Sequence, residues 1–555
     1  MQSLVRQLYD SSSNSRQWWN IINKITNTEK NDVTLPPLKS DDLDLYIEND
    51  TAKASLFNTY FLSQQDIDDT SSSLPIAHDP DYCLSDIIID ETDVIDVLSS
   101  LNTNKATGPD LINPILLRNA SRELAPLFTK LFNLSIQTST FPASWKLANV
   151  SPIFKKDDPS LVKNYRPISL LSIIGKVMER CVFKHLYNYL HSHSILTNLQ
   201  SGFRPNDSTI NQLLDLSNEF GRALDEGKEI RVVFCDISKA FDRVWHEGLI
   251  HKLRSIGIKD KILNWFANYL SNRKQRVVIN GVASDWGEIN AGVPQGSILG
   301  PILFLVYIND IVCEISTNIR LFADDTSLYI IVDNPIDSAE LLNNDLDKIH
   351  TWSRQWLVDF NPNKTESLLI STKRYTPFHP SLYMNDELIN EVEQHKHLGI
   401  TFTHNLNWDI HIDEIVNKAS KKLNMLRKLK LNLDRLTLQK IYFTFIPPSY
   451  FNSGTRMGQI YHCRLRTESS GLRAHLFARN ISTTANCDCG ALETTRHYLL
   501  HCPLYDTIRS LTIDTLQNKS LELLLFGNIL LPYQDNVNIF SVVQDFILQS
   551  KRFSN

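Results

Sequence analysis

Two adjacent carboxylates, Asp324 and Asp325, lie where two apolar runs meet, and this feature constrains the fold most strongly. The flanking residues 318–323 and 326–332 are β-prone and contain neither glycine nor proline. They predict a β-hairpin with two acids at its tip. Neighbouring carboxylates repel each other unless a cation neutralises them, and a hard divalent ion with oxygen ligands does so. The alternative is an ordinary solvated turn.

A third acid, Asp236, lies within residues 231–237, at the end of another apolar strand-like run. Three carboxylates from two strands can hold two Mg²⁺ ions, an arrangement that promotes attack of a hydroxyl on a phosphate. The pattern therefore predicts a metal-dependent phosphoryl-transfer site built from Asp236, Asp324 and Asp325.

The segment 291–301 lies between these acids and has a glycine at every fourth position, namely Gly292, Gly296 and Gly300. Glycine lets the backbone approach a flat ligand closely, and Gln295 offers an amide donor and acceptor beside it. The alternative interpretation is a loop that opens a buried helix, since a long apolar run follows.

Residues 234–242, 292–297 and 322–325, in that order, resemble the palm motifs of reverse transcriptases. The sequence is most similar to non-LTR (LINE-type) retrotransposons, in particular the jockey-like group. The resemblance extends over roughly residues 100 to 447. It includes further segments that resemble the N-terminal, fingers and primer-grip motifs of that family, at residues 105–110, 153–156, 164–170, 200–204, 360–365 and 397–400.

The resemblance implies an α+β fold, a right-hand polymerase of fingers, palm and thumb with an antiparallel palm sheet. A small C-terminal helical region like a zinc knuckle would follow. The expected domains are an N-terminal helical piece and acidic, disordered connector (1–90), an N-terminal extension of the fingers (91–140), the reverse transcriptase domain of fingers and palm (141–405), a truncated thumb (406–448) and a C-terminal region with a zinc knuckle (449–555).

The family also implies roles for single residues. Asp236, Asp324 and Asp325 would hold two Mg²⁺ ions. Phe241 would screen the sugar 2′ position by steric exclusion, so that deoxynucleotides are favoured. A core aromatic is the alternative for Phe241. Gln295 would lie against the incoming nucleotide and the template base, together with Gly296.

Basic residues are implied at the triphosphate. Arg166 would contact it with Lys155 or Lys156, because arginine offers a planar fork and lysine a point charge. Lys364 matches a lysine proposed to donate a proton to the departing pyrophosphate. The primer grip would include Leu398 and Gly399.

The implied function is an RNA-directed DNA polymerase of a mobile element, which copies element RNA into DNA by two-metal nucleotidyl transfer. Its partners would be an RNA template, a DNA primer or target, and deoxynucleoside triphosphates. One alternative is a catalytically weak or inactive remnant that only binds nucleic acid. Another is a two-metal nuclease, which would leave Gln295 and Phe241 without a role.

Length and composition are those of a globular chain of several domains, with 555 residues, 42% hydrophobic and 21% charged. No apolar run approaches the length of a membrane span, and the first residues do not resemble a secretory signal. The eight cysteines are mostly isolated in sequence, as in reduced intracellular proteins. We expect a nuclear or cytoplasmic protein, neither secreted nor bound to a membrane.

A net charge of −6 does not exclude a nucleic-acid enzyme, because the charge is unevenly distributed. Residues 61–97 contain ten acids and no lysine or arginine, whereas residues 418–430 contain six bases and no acid. An amphipathic helix is predicted over 408–440, packed on the palm with its bases facing a primer–template duplex. The expected contacts are Lys421, Lys422 and Lys428; a solvated basic helix is the alternative.

A second constellation lies near the C-terminus, with the spacing C-x-C-x7-H-x4-C. Thiolates and imidazoles in this number can close a tetrahedral Zn²⁺ site. The candidate ligands are Cys487, Cys489, His497 and Cys502, with His501 as an alternative to His497. The segment also resembles the C-terminal knuckle of jockey-like polymerases, whose expected role is to grip element RNA or target DNA.

Two features depart from the family pattern. Residues 1–100 contain no endonuclease sequence, so target cleavage would need a separate endonuclease. At residues 444–450 the chain passes from thumb-like sequence directly to the C-terminal region. We therefore expect part of the thumb to be missing and processivity to be reduced.

Overall fold

The structure is a computed structural model that describes residues 35–39, 46–77, 79–205, 207–375, 377–430, 472–474, 484–512 and 533–550, with isolated positions 433, 435, 437, 438 and 552. The chain divides into two compact units. The larger unit comprises Asn31–Ile415, and the smaller one combines Met1–Lys30 with Val416–Asn555. The apparent jump at residues 444–450 lies outside the described residues.

The larger unit mixes helices and strands. Its helices are α1 (Asp50–Gln64), α2 (Glu91–Ser99), α3 (Pro114–Asn119), α4 (Ser121–Gln137), α5 (Ile173–Ser192), α6 (Thr209–Asp225), α7 (His246–Ser255), α8 (Asp260–Leu270), α9 (Leu299–Ile308) and α10 (Pro335–Gln355). Helix α11 (Asp409–Leu429) begins in this unit and continues into the smaller one. Helices α2 to α4 lie in residues 91–140, the segment predicted to extend the fingers.

The strands of the larger unit are β1 (Leu38–Lys39), β2 (Tyr46–Ile47), β3 (Leu147–Phe154), β4 (Tyr165–Leu170), β5 (Glu229–Asp236), β6 (Arg273–Ile279), β7 (Val282–Ala283), β8 (Gly287–Ile289), β9 (Asn318–Phe322), β10 (Asp325–Val332), β11 (Glu366–Ile370), β12 (Tyr383–Met384), β13 (Glu387–Leu388), β14 (Asn390–Glu391), β15 (Gln394–His397) and β16 (Ile400–Thr403). This mixture of helices and mainly antiparallel strands confirms the α+β prediction.

The first large sheet has the strand order β14-β11-β5-β10-β9, and its pairs are antiparallel except for β11 with β14. Alternate side chains of β5 enter two different apolar clusters. Val232 and Phe234 pack with residues of α6, whereas Val233 and Cys235 pack with residues of α10. Because helices cover both faces of the sheet, this strand is a continuous apolar run rather than an alternating one.

The second large sheet has the order β4-β3-β6-β7, with β8 also paired to β6. Helix α1 covers one face of this sheet, where Phe57 and Phe61 pack with Val150 and Val277. An extensive helical core then surrounds α9, and nearly every residue of α9 is buried. A helix that is apolar all round needs such a position.

Helix α1 lies within the segment for which the sequence predicts an acidic connector. Asn49 caps its N-terminus by accepting hydrogen bonds from the backbone N–H groups of Thr51 and Ala52. The residues after α1 are also fastened, since the Trp245 indole donates to Asp69 over 2.8 Å. Residues 50–64 are therefore a packed helix, and the loop that follows is held at Asp69. Residues 1–34 lie outside the described range, and the wider domain prediction stays a prediction.

The smaller unit is described mainly in residues 484–512 and 533–550. It contains a π-helical turn (His497–His501) followed by α12 (Asp506–Thr512) and α13 (Tyr533–Gln549). Tyr498 packs against Phe546 of α13, with ring centroids 5.4 Å apart. Within the described ranges, every helix is too short or too polar to cross a lipid bilayer.

Candidate active site

The two acids at the hairpin tip meet the third acid across a pair of strands. Strands β9 and β10 form the predicted hairpin, with Phe322 opposite Asp325 and only Ala323 and Asp324 in the turn. On its other side β10 pairs with β5, and Asp325 lies directly opposite Asp236. Directly opposite residues in an antiparallel pair have Cα atoms about 4.5–5.5 Å apart. The fold therefore brings the three predicted aspartates together.

This crowding alters the acidity of the hairpin carboxyls. Partial burial, followed by the negative charges of Asp324 and Asp236, raises the pKa of Asp325 to about 6. Burial and the charge of Asp236 also raise the pKa of Asp324. Burial and like charge both disfavour the ionised form, and a cation bound between the carboxylates would counteract them by favouring that form.

Basic side chains face the acids. Lys364 Nζ lies 3.1 Å from Asp236 Oδ2. Partial burial, and then the positive charges of Arg166 and Lys364, lower the pKa of Lys155, which also interacts with Asp236. Arg166 and Lys155, predicted to contact the triphosphate, and Lys364, the predicted proton donor, thus lie near one another and near the acids. Lys156 also influences Lys155, but its charge effect is the smallest of these.

Lys239 joins this basic group, although the sequence analysis does not assign it a role. Burial lowers the pKa of Lys239, and the charges of Lys364 and Arg166 contribute in the same direction. Its ammonium group lies over the Tyr60 ring, 5.3 Å from the centroid. The only sequence signal was its place within residues 234–242. The contact with Tyr60 joins distant parts of the chain and leaves no local pattern.

The glycine-rich loop lies against β4. The backbone N–H of Ser169 donates to the carbonyl of Gln295 over 2.9 Å. Gly296 has a φ of +120°, and a Cβ there would lie 2.8 Å from the Ser169 carbonyl oxygen. Only glycine fits this backbone without strain. Gln295 is half-buried and Gly296 is exposed, so a ligand can reach both residues.

Phe241 is placed among other aromatic rings. It stacks on Phe304 with ring centroids 4.7 Å apart and meets Phe203 edge to face at 5.8 Å. Its side chain is partly buried against the helical core. Both interpretations of Phe241, a sugar screen and a core aromatic, are compatible with this position.

Gln200 supports the backbone of the turn that carries Asp324, a role that the sequence analysis does not assign. Its Oε1 accepts hydrogen bonds from the backbone N–H groups of Ala323 (2.8 Å) and Gly202 (2.7 Å). A Cβ at Gly202 would lie 2.2 Å from the Ala323 nitrogen. The turn bearing Asp324 is therefore positioned by Gln200 and Gly202, which the sequence analysis recognised only as part of the motif at residues 200–204.

The predicted nucleic-acid contacts fall in two places. Leu398 and Gly399 form the two-residue turn between β15 and β16, both with positive φ. Lys421 and Lys422 are exposed on α11, which confirms the predicted helix over Asp409–Leu429. Ile412 and Ile415, on its predicted apolar face, are each 51% exposed. These two isoleucines therefore do not pack as predicted. The side chain of Lys428 lies outside the described residues.

The predicted zinc ligands converge in the smaller unit. Cys487 Sγ lies 3.6 Å from Cys502 Sγ, and Cys489 Sγ lies 3.1 Å from His497 Nε2. Among the described residues, these four form the one group of three or more potential ligands whose atoms all lie within 4.8 Å of one another. Two pairs of soft donors at this spacing fit a tetrahedral Zn²⁺ ion. His501, the open alternative, is exposed and outside the group.

The carboxylate oxygens of the three aspartates lie further apart than the ligand atoms of the Cys/His group. Their charges repel one another, and Lys364 binds one oxygen of Asp236. Their oxygen donors suit Mg²⁺, and such an ion would neutralise the repulsion between the carboxylates.

Comparison with known proteins gives a match over the same region. Residues 153–402 match the family model of the reverse transcriptase (RNA-dependent DNA polymerase). This part of the chain is a reverse transcriptase domain. It contains all three aspartates, Gln295 and the whole β5–β10 pair.

The reverse transcriptase domain has relatives in mobile elements of Drosophila melanogaster. The chain is 30% identical over 381 residues to the RNA-directed DNA polymerase from mobile element jockey, covering 66% of this chain and 41% of that protein. It is 28% identical over 397 residues to the probable polymerase from transposon X-element, covering 70% and 43%. The predicted relationship to jockey-like, non-LTR reverse transcriptases is confirmed. The chain spans about two fifths of the length of these curated relatives.

Proposed function

We propose that this chain is an RNA-directed DNA polymerase of a mobile element, acting inside the cell. It would extend a DNA primer on an RNA template, as the 3′-hydroxyl attacks the α-phosphate of a deoxynucleotide and pyrophosphate leaves. One observation carries the proposal: Asp236 pairs with Asp325 beside Asp324, within a reverse transcriptase domain.

The two large sheets support a division into palm and fingers. We assign β14-β11-β5-β10-β9 to the palm, since it carries the acids, and β4-β3-β6-β7 to the fingers, since β4 carries Arg166. The thumb would begin near residue 406, with α11. The helical core includes Trp145, just before β3, and Ile237, just after β5, which supports a rigid frame for the site.

Asp236, Asp324 and Asp325 would hold two Mg²⁺ ions. The ions would lower the pKa of the primer hydroxyl and neutralise charge on the phosphates. Asp236 and Asp325 are fixed by the strand pairing, and Asp324 by the turn that Gln200 supports. Because the backbone is fixed, the acids need only lose the Lys364 contact to bind the ions, and such preorganisation is the usual origin of electrostatic catalysis.

The basic group would receive the triphosphate. The positive charges of Arg166 and Lys364 lower the pKa of both Lys155 and Lys239, so the four side chains lie near a common point where a polyanion would relieve their repulsion. Lys364 would leave Asp236 when nucleotide and metal bind, and could then donate a proton to the departing pyrophosphate.

We expect Arg166→Ala to raise the KM for the deoxynucleotide by about 10- to 100-fold, because a charge-assisted hydrogen bond to phosphate contributes about 1.5–3 kcal/mol. Arg166→Lys should recover only part of this loss, because it keeps the charge and loses the planar fork. Steady-state extension measures both values. Lys163→Ala, at a neighbouring exposed position, is the control. An unchanged KM in Arg166→Ala would remove Arg166 from the nucleotide site.

Phe241 would act as the sugar screen, supported by its position beside the loop of Gln295. We expect Phe241→Ala to relax the preference for deoxynucleotides over ribonucleotides by about 10- to 100-fold, the usual range for a single steric contact. The ratio of kcat/KM for the two nucleotide types measures this. Phe241→Tyr keeps the ring and should keep the preference. Unchanged rejection of ribonucleotides by Phe241→Ala would favour the core-aromatic interpretation.

The smaller unit would grip nucleic acid. Cys487, Cys489, His497 and Cys502 would hold Zn²⁺, which would tie the segment 484–502 into one folded knuckle. Lys421, Lys422 and Lys428 would contact the duplex backbone, where binding depends on salt because phosphate neutralisation releases counterions.

The turn of Leu398 and Gly399, in the larger unit, would support the primer end.

Primer extension on a defined RNA template tests the proposal. With Mg²⁺ and all four deoxynucleotides, the full chain should lengthen a labelled DNA primer to the end of the template. A nuclease would instead shorten the substrate without added nucleotides. A binding remnant would retain the duplex in a gel and leave the primer unchanged, and either result would refute the polymerase function.

A further inference from the structure

A buried carboxylate lies behind Gln295, the side chain assigned to the incoming nucleotide. The Gln295 Nε2 atom is 2.9 Å from both carboxylate oxygens of Asp242. Asp242 is 4% exposed, so this contact is made inside the protein. The main chain of Gln295 is already fixed by Ser169. The contact with Asp242 therefore restricts the rotation of the Gln295 side chain.

The chemistry of this pair fixes the direction of the amide. A carboxylate can only accept hydrogen bonds, so it binds the NH₂ side of the glutamine amide and repels its carbonyl oxygen. Rotation of the amide by half a turn would place two acceptors together in a buried site, which is unfavourable. The carbonyl oxygen is thereby held on the side away from Asp242.

The backbone joins the same two loops. The N–H of Val293 donates to the Phe241 carbonyl, and that of Gly292 donates to the Val244 carbonyl, both over 2.8 Å. A Cβ at Gly292 would lie 2.6 Å from the Asp242 carbonyl oxygen, and Gly292 has a φ of +87°. The loop of Asp242 and the loop of Gln295 are thus held in close register.

Gln65, from the end of α1, completes the arrangement. Its side chain is 7% exposed and faces the carboxylate of Asp242, where it opposes the rise in the Asp242 pKa that burial causes. Five residues earlier, Tyr60 lies under the ammonium group of Lys239. Helix α1 is more than 150 residues away in sequence from both partners, yet its C-terminal end contacts two of the loops that surround the nucleotide.

We propose that Gln65 and Asp242 are positioning residues, which hold the Gln295 amide in the orientation that receives the nucleotide. The inference rests on the proposed function, because it assumes that Gln295 contacts a deoxynucleoside triphosphate. Gln65 fixes the carboxylate of Asp242, and Asp242 fixes the amide of Gln295. Helix α1 thereby belongs to the nucleotide site, although it touches neither metal nor substrate.

The test measures nucleotide binding without turnover, using the full chain, an RNA template, a primer ending in a 2′,3′-dideoxynucleotide, Mg²⁺ and the next complementary deoxynucleotide. Asp242→Asn should weaken binding about tenfold, the factor that corresponds to 1.4 kcal/mol. Gln65→Leu should weaken it by a smaller factor of about three, because it acts one step further away. Gln64→Leu is the matched control, since the Gln64 amide instead reaches Ser63, and binding should stay unchanged.

Coupling to Gln295 distinguishes a positioning role of Gln65 and Asp242 from a purely structural role. In a Gln295→Ala background, Gln65→Leu and Asp242→Asn should produce no further loss, because no amide remains to be oriented. Equal losses in both backgrounds, or equal losses from Gln64→Leu and Gln65→Leu, would overturn the positioning role and leave the polymerase proposal intact. Absence of nucleotide binding by the wild-type chain would overturn both. If Asp242→Asn does not fold, Gln65→Leu carries the same comparison.

Discussion

Replacing Asp324 by Asn is expected to reduce primer extension by about a thousandfold or more, because metal ions contribute several kcal/mol of transition-state stabilisation and each 1.36 kcal/mol is tenfold in rate. The substitution is nearly isosteric and removes the charge that Mg²⁺ needs. The turn should persist, since Gln200 holds the backbone of Ala323 and not the carboxyl of Asp324. Single-turnover extension on an RNA template measures the loss.

The matched control for this experiment lies beyond the other end of β10. Asp333 is an exposed acid that pairs with Lys228, far along the strand from the active site. Asp333→Asn should extend primers at the wild-type rate. Equal rates for wild type and Asp324→Asn would contradict the assignment of the acids to catalysis.

Removal of zinc is expected to unfold the smaller unit. Structural zinc contributes about 10 kcal/mol or more in small zinc-finger peptides, and the described part of this unit has only a modest apolar core around Tyr498 and Phe546. Chelation or Cys487→Ser should abolish its melting transition and weaken binding to RNA and DNA. Extension from a pre-formed primer should fall much less. Calorimetry and a gel-shift titration, each repeated after zinc is restored, measure these effects.

His501→Ala is the control for the zinc prediction, because His501 is exposed and lies outside the Cys/His group. It should bind one zinc per chain and melt like the wild type. A wild-type chain that binds no zinc, or a melting transition that survives Cys487→Ser, would contradict the site. A larger loss of extension than of nucleic-acid binding would mean that the knuckle is structural for the thumb.

Local pattern was sufficient to predict several parts of the site. The apolar flanks of Asp324 and Asp325 predicted the hairpin that β9 and β10 form. The uninterrupted apolar run before Asp236 predicted a strand, and β5 is buried on both faces. The cysteine and histidine spacing predicted the group at residues 487–502. Each of these depends on residues that are close together in sequence.

The residues missed by the sequence analysis act over long distances. Gln65, Asp242 and Gln295 come from three separate segments, and only the packed structure brings them together. Lys239 is recognisable as part of the site because Arg166 and Lys364 influence its charge. The acidic residues that follow helix α1 obscured its pattern in the sequence. Its apolar residues are explained by their packing on the sheet that contains β3 and β6.

The most direct test is to count and locate metal ions in a crystal of the full chain with an RNA template, a dideoxy-terminated primer, a matching deoxynucleotide and Mn²⁺. Anomalous scattering should show two ions bound by Asp236 and Asp324, with Asp325 beside them and the triphosphate against Arg166. An acidic hairpin without ions, or ions held by other residues, would contradict the account.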